Sequence, residues 1–180
     1  MRYRRSKEKG ASFFFTVVTH GRRKILCREA NVMLVKEAFK RVIEKRPFEI
    51  DAFVLLPDHI HCVWTLPEND SDFSTRWRLF KSFFTKGCGD EFKSPPTASR
   101  LKSGEQAIWQ RRFWEHTIVD EDDFIRHVDY IHYNPAKHGL ARSPKEWPYS
   151  SFHRYVSQGI YYRDWGAERE IAFDEGVGLE

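Results

Sequence analysis

Residues 48–66 read FEIDAFVLLPDHIHCVWTL, and this stretch decides the fold. Two runs rich in β-branched and aromatic residues, Phe48–Leu56 and His59–Leu66, flank the dipeptide Pro57-Asp58. Proline presets φ for a turn and aspartate bonds nearby backbone, so the pattern predicts two strands joined as an antiparallel hairpin. Side chains alternate across a strand, which puts His59 and His61 on one face and Ile60 on the other.

Working outward, Ser12–Thr19 (SFFFTVVT) is apolar, aromatic and β-branched, and closes at His20-Gly21, which predicts another strand. Glu29–Arg46 carries Val32, Val35, Phe39, Val42 and Ile43 at three- and four-residue spacings before Pro47, an amphipathic helix. A second helix is predicted over Asp72–Lys86, with Phe73, Trp77, Phe80 and Phe84 on one side. Residues 87–104 are rich in Gly, Ser and Pro and read as a mobile loop. Ala107–Thr117 is the fourth strand. Asp120 can cap a helix from Glu121 to about Tyr133, which Asn134-Pro135 should end, since the residue before proline is pushed out of the α region. The order β-α-β-β-α-β predicts a ferredoxin-like α+β fold. Its four-stranded antiparallel sheet has helices on one face and a helix toward the C-terminus that carries Tyr130.

A chain of 180 residues suits one domain, which we place at 1–165, followed by a flexible acidic tail at 166–180. The net charge is only +4, but it is unevenly spread. Five basic groups crowd residues 1–9 against Glu8, and nine crowd residues 76–112 against Asp90, Glu91 and Glu105. After residue 163 the sign reverses. A basic body suits a polyanion, although a merely solvated face has the same composition. The aromatic share of 16% fits core packing and also stacking on unpaired bases, with packing taking most of it. Cys27, Cys62 and Cys88 are too few and too scattered for a disulfide framework or a Cys-rich zinc site. No apolar run approaches the roughly 20 residues of a membrane span, and the basic start lacks a signal-peptide core, so the chain reads as cytoplasmic.

Two imidazoles on one face of a strand can bind one divalent ion, though a His-x-His pair alone also suits surface or hydrogen-bonded histidines. The second constellation is Tyr130-Ile131-His132-Tyr133-Asn134. Tyr130 and Asn134 are four apart and share one side of the helix. An Asn134 oxygen would complete a His-His-Asn set, and two nitrogens, one oxygen and substrate phosphate oxygens suit Mg²⁺ or Mn²⁺. Patterning alone also allows a half-buried helix tyrosine, and His127 and His132 read as packing or surface residues.

The stretch PDHIH (57–61) with TLPE (65–68), the block IWQRRFWEHTIVDEDDFIRHVDYIHYNPAKHGL (108–140), and WPYSSFHRYV (147–156) resemble the REP-associated tyrosine transposases. These are domesticated relatives of insertion-sequence transposases in the HUH single-strand nuclease superfamily. The resemblance runs from Ser12 to about Trp165 and leaves out the region around 87–104 and the acidic tail. It implies metal ligands at His59 and His61 and a nucleophile at Tyr130. The third ligand falls on Asn134, where related transposases carry a longer glutamine. It further implies cleavage and rejoining of single-stranded DNA at palindromic repeat hairpins through a 5′-phosphotyrosine. The cell would be bacterial and the protein nucleoid-associated, acting as a monomer, with a dimer like those of related mobile elements as the alternative.

Arg4, Arg22, Arg23, Lys24, Arg111 and Arg112 are the expected phosphate contacts. Lys137 and His132 stand near enough in sequence to take the phenolic proton. Two other classes compete. A non-catalytic RNA-recognition-type module uses the same element order and would bind without metal. A zinc hydrolase would need a carboxylate near the ligands, and Asp58 is the near one.

Overall fold

In the computed structural model, residues 6–167, 171–173 and 177–178 are described. The strands are β1 (Ser12–Val18), β2 (Glu49–Leu55), β3 (His59–Thr65) and β4 (Trp114–Thr117). The helices are α1 (Glu29–Lys45), α2 (Phe73–Gly87), the short α3 (Ala98–Lys102), α4 (Glu121–Lys137) and α5 (Phe152–Ser157). The sheet order is β2-β3-β1-β4 and every pairing is antiparallel. The hairpin closes at Pro57-Asp58, where the Leu56 amide donates to the His59 carbonyl at 2.9 Å. The ferredoxin-like expectation is therefore met.

The two faces of the sheet have different partners. Phe13, Phe15 and Val17 of β1 join Ile60, Cys62 and Trp64 of β3 in a core under α1 and α2. Trp64 stacks on Trp77 of α2 with centroids 4.1 Å apart, and Phe48, Phe39 and Phe80 close around them. On the opposite face Phe14, Val63, Ala52 and Val54 pack against Val128, Tyr130 and Ile131 of α4. Among the described residues, Tyr162 is the one aromatic of the large exposed apolar side chains. The aromatic richness of the chain is thus mostly spent on packing.

Four sequence expectations change in detail. Helix α4 does not stop before Pro135 but continues to Lys137 with the proline inside its last turn. Proline there forfeits one backbone bond, yet Pro135 and the four residues before it are buried, and packing outweighs the local preference. The segment expected as a plain loop contains α3 and one turn of 3-10 helix at Asp90–Phe92. Strand β4 is shorter than 107–117; upstream of it only single bridges form, Thr19 with Trp109 and Ser94 with Ala107. Arg76 and Arg100 do not belong to a solvated basic surface: both are buried. Arg76 donates to the carbonyls of Arg46, Pro47 and Asp72 and to Asp70, tying the end of α1 to α2.

The outer edge of β2 is covered. Leu55 N donates to the Tyr149 carbonyl and Ser151 N to the Phe53 carbonyl, while Arg154 reaches the carbonyls of Ile50 and Asp51. Among the described residues, no helix is long and apolar enough to cross a membrane.

Candidate active site on the face of helix α4

Residues 59, 61 and 63 of β3 lie opposite Val18, Thr16 and Phe14 of β1, so all six side chains face α4. His59 and His61 are buried, and their rings stand edge to face with centroids 4.7 Å apart. Each ring is oriented by a neighbour. His59 Nδ1 lies 2.6 Å from Asp58 Oδ1. A carboxylate there only accepts, so Nδ1 carries the proton and the lone pair sits on Nε2, the usual arrangement of a metal-ligating histidine. His61 Nδ1 lies 2.9 Å from Thr16 Oγ1. Burial works to raise the Asp58 carboxyl, but the His59 hydrogen bond and the Arg22 guanidinium 3.3 Å away outweigh it. The group sits below the usual carboxylate range.

Helix α4 brings the second constellation to this face. The Tyr130 ring stands edge to face against His61 with centroids 5.3 Å apart, and Phe14 packs beside both. One turn later, Asn134 is fully buried, and among the described residues neither its amide oxygen nor its nitrogen has a hydrogen-bond partner. An unmet buried amide is costly unless something supplies the missing bond. An oxygen donor of this kind, beside two oriented imidazoles, fits a divalent cation. Lys137 Nζ donates to the Tyr130 hydroxyl at 3.1 Å and lies 4.6 Å from the ring centre. His132 faces elsewhere, toward Ser151 Oγ at 2.7 Å and Tyr161, and burial drives its imidazole down to about 3. It has no access to the phenol as a proton acceptor.

The phenol itself is covered. Tyr130 has no exposed surface, its hydroxyl donates to the Gly178 carbonyl at 3.0 Å, and the Phe173 ring stands edge to face against it at 5.3 Å. A side chain at residue 178 would meet the Tyr130 ring at 2.1 Å, so the approach requires a glycine.

The expected phosphate contacts divide. Arg4 lies outside the described residues. Arg22 is paired with Asp58, Arg23 donates to Ser94 Oγ, and Lys24 is exposed. Arg111 bonds Glu105 and Ser99, and Arg112 is exposed. Both groups border the sheet end where β1 leaves and β3 begins, since His20 N donates to the Ile108 carbonyl and Gln110 N to the Val18 carbonyl.

Pattern reading missed Thr16, because strand register is invisible in one sequence, and His138, whose ring lies 5.6 Å from that of His59. It also missed a His-Asp-His group at the base of α4. His116, Asp123 and His127 bring their donor atoms within 4.8 Å of one another, which could hold a metal ion. Hydrogen bonds account for them equally well. His116 Nε2 lies 2.7 Å from Asp123 Oδ2, and His127 Nδ1 faces the Asp123 carbonyl at 2.8 Å and Oδ1 at 3.1 Å. Every partner is an acceptor, so both ring nitrogens carry protons and the carboxylate ties β4 to α4.

Comparison with known proteins agrees with this architecture. Residues 9–134 match the family model described as "Transposase IS200 like". The chain is 47% identical over 166 residues to the REP-associated tyrosine transposase of Escherichia coli (strain K12), covering 92% of this chain and 91% of that one. A second relative, from Haemophilus influenzae, is 44% identical over 169 residues, covering 94% and 95%. A solved structure of a REP-associated tyrosine transposase bound to a REP hairpin superposes with a TM-score of 0.80 at 40% identity, covering 100% of this chain and 98% of that one. The chain belongs to the IS200-like transposase family, among its REP-associated tyrosine transposases.

Proposed function

We propose that this transposase cuts and rejoins single-stranded DNA beside a palindromic repeat hairpin, with Tyr130 as nucleophile. The observation that carries the reading is the Tyr130 ring packed against His61, one helical turn from the buried Asn134 amide. In the cutting step the phenolic oxygen bonds to the scissile phosphorus and the P–O3′ bond breaks. The proton given up by the phenol balances the one gained by the released 3′-oxygen. The 5′-phosphotyrosine keeps the bond energy of the phosphodiester, so a second 3′-hydroxyl can attack it and restore the phenol. That reversibility distinguishes a strand transferase from a hydrolytic nuclease.

The chain's own groups prepare this step. A free phenol titrates near 10, far above neutral pH. Lys137 holds an ammonium against the Tyr130 oxygen, where negative charge develops as the proton leaves. Asp58 and Thr16 fix the two imidazoles. His59, His61 and Asn134 would hold Mg²⁺ or Mn²⁺. Bound there, the ion supplies a Lewis acid for the scissile phosphate. Arg22, Lys24 and Arg112 would contact flanking phosphates.

Residues 1–165 are read as one catalytic domain and residues 166–180 as an acidic tail, from which Phe173 and Gly178 cover the phenol. DNA reaches Tyr130 only after Phe173 and Gly178 move. The covered β2 edge removes one route to sheet-extension dimers, which supports a monomer. A single-strand DNA transferase of this kind would work in the bacterial cytoplasm, with the nucleoid.

The test incubates a labelled single-stranded hairpin with the protein and Mg²⁺ or Mn²⁺. A denaturing gel shows a protein–DNA adduct with wild type and none with Tyr130→Phe or excess chelator. An adduct undiminished by Tyr130→Phe ends the assignment. A non-catalytic binding module would bind the DNA and never give an adduct.

A further inference from the structure

A cavity of about 400 Å³ opens between α2 and the segment 98–111, away from the site just described. Its wall is strongly cationic: Lys81, Lys86, Arg100 and Arg111 face it against the one carboxylate of Glu105. The wall is also built rather than incidental. Arg100, over nine-tenths buried, donates to the Trp109 carbonyl through both terminal nitrogens and lies 3.7 Å from Glu105. Glu105 in turn takes a 2.8 Å bond from Arg111, so one carboxylate positions two guanidinium groups. Trp109 lines the cavity as well. Its indole N–H is buried and meets no acceptor among the described residues. Gln106 adds an exposed amide that can donate and accept at once.

Its location ties the cavity to the catalytic residues. Gln110, on its rim, donates to the Val18 carbonyl, and Val18 pairs in register with His59. Adjacent strands lie about 4.8 Å apart, so the rim is roughly 10 Å from the His59 backbone at the same end of the sheet. The two sites face opposite ways, because Trp109 belongs to the core under α1 and α2 while His59 faces α4. The sheet end between them carries Arg22, Arg23 and Lys24.

We propose that this cavity is a subsite for one unpaired nucleotide of the DNA strand, flanking the scissile step rather than containing it. Lys86 takes the phosphate as a flexible point charge beside Lys81, whose ammonium also donates to the Gln110 carbonyl at 2.8 Å, and Gln106 meets the base edge over the Trp109 ring. The proposal rests on the single-strand reading above, and a nucleotide is the ligand whose anionic and hydrogen-bonding parts match this wall.

The test compares two labelled DNAs by fluorescence anisotropy: a hairpin with a single-stranded flank and the same hairpin cut blunt. Lys86→Gln and Gln106→Ala alter exposed side chains, so both variants fold. Each weakens the flanked DNA about fivefold and leaves the blunt hairpin unchanged. For Lys86→Gln the log–log salt slope on flanked DNA falls by about 0.7, one phosphate on a single strand. Equal losses on both DNAs, or no loss on either, overturns the subsite. Adduct formation by wild type on the flanked DNA is scored in parallel. A missing adduct sinks the cutting reaction, whereas a flank-dependent loss of affinity stands regardless of it.

Discussion

The Tyr130 hydroxyl donates a hydrogen bond to the Gly178 carbonyl at 3.0 Å, across 48 positions of chain. A nucleophile in that arrangement is spent on its own backbone. Removing residues 166–180 releases the phenol from Gly178, leaves its bond from Lys137, and opens a path for a phosphodiester. The contact combines one hydrogen bond, worth about 1 kcal/mol net, with an aromatic edge contact of about the same size, so release should raise single-turnover adduct formation roughly tenfold or more. Gly178→Val should act in the same direction, since residue 178 has φ +70 and its Cβ would strike the ring. An unchanged rate in both variants removes the restraint.

Asn134 sets function against stability. Its amide is fully buried with neither atom bonded among the described residues. Asn134→Leu should therefore stabilise the metal-free protein by about 1 kcal/mol, read as a higher midpoint in urea with chelator present. The same change should lower adduct formation at least a hundredfold. Loss of stability together with activity would mean that the amide is packing, not donating.

Asp123 ties two histidines and a backbone amide to one carboxylate. Burial alone would raise its carboxyl, but His116 and the Val119 N–H more than offset that, and the group sits below the usual range. Asp123→Ala strands the His116 and Val119 N–H donors while His127 keeps its bond to the residue 123 carbonyl, and should cost about 2 kcal/mol in urea unfolding. If instead the cluster holds a metal, adding Zn²⁺ raises the wild-type midpoint and leaves the variant unmoved.

His132 gives the fold an acid limit. It is fully buried among Ser151, Tyr155 and Phe152, and desolvation first, then the nearby charges of Arg154 and His153, press its imidazole down to about 3. The unfolded chain takes that proton near 6.5, so the folded state binds fewer protons between these values. The contribution is complete above about pH 6.5 and is lost as pH falls toward 3, with a slope up to about 1.4 kcal/mol per pH unit. Urea midpoints at pH 7 and pH 5 should separate in wild type and draw together in His132→Gln. A flat wild-type profile contradicts this.

The hairpin at 48–66 was readable because its signals are local: period-two alternation, β-branched content and a Pro-Asp turn. The pairing of Tyr130 with Asn134 was readable for the same reason, as a four-residue step on a helix. What stayed hidden depends on neighbours distant in sequence. Pro135 breaks a helix by local rules, yet burial on the sheet carries α4 through it. Arg76 counts as positive charge in a sequence, although carbonyls from three other residues consume its donors. Thr16 becomes relevant only once β1 pairs with β3 in the register that sets it beside His61. The tail reaches Tyr130 through a glycine that no local pattern marks.

Strand β3 presents imidazoles to α4 on one side and Ile60, Cys62 and Trp64 to the aromatic core on the other. Sliding it by a single residue would drive both rings into hydrocarbon and force the Trp64 indole against α4, spoiling the packing on both faces at once. Misregistered molecules thus fail as solids before they fail as enzymes, and every molecule that stays folded already has its imidazoles aimed.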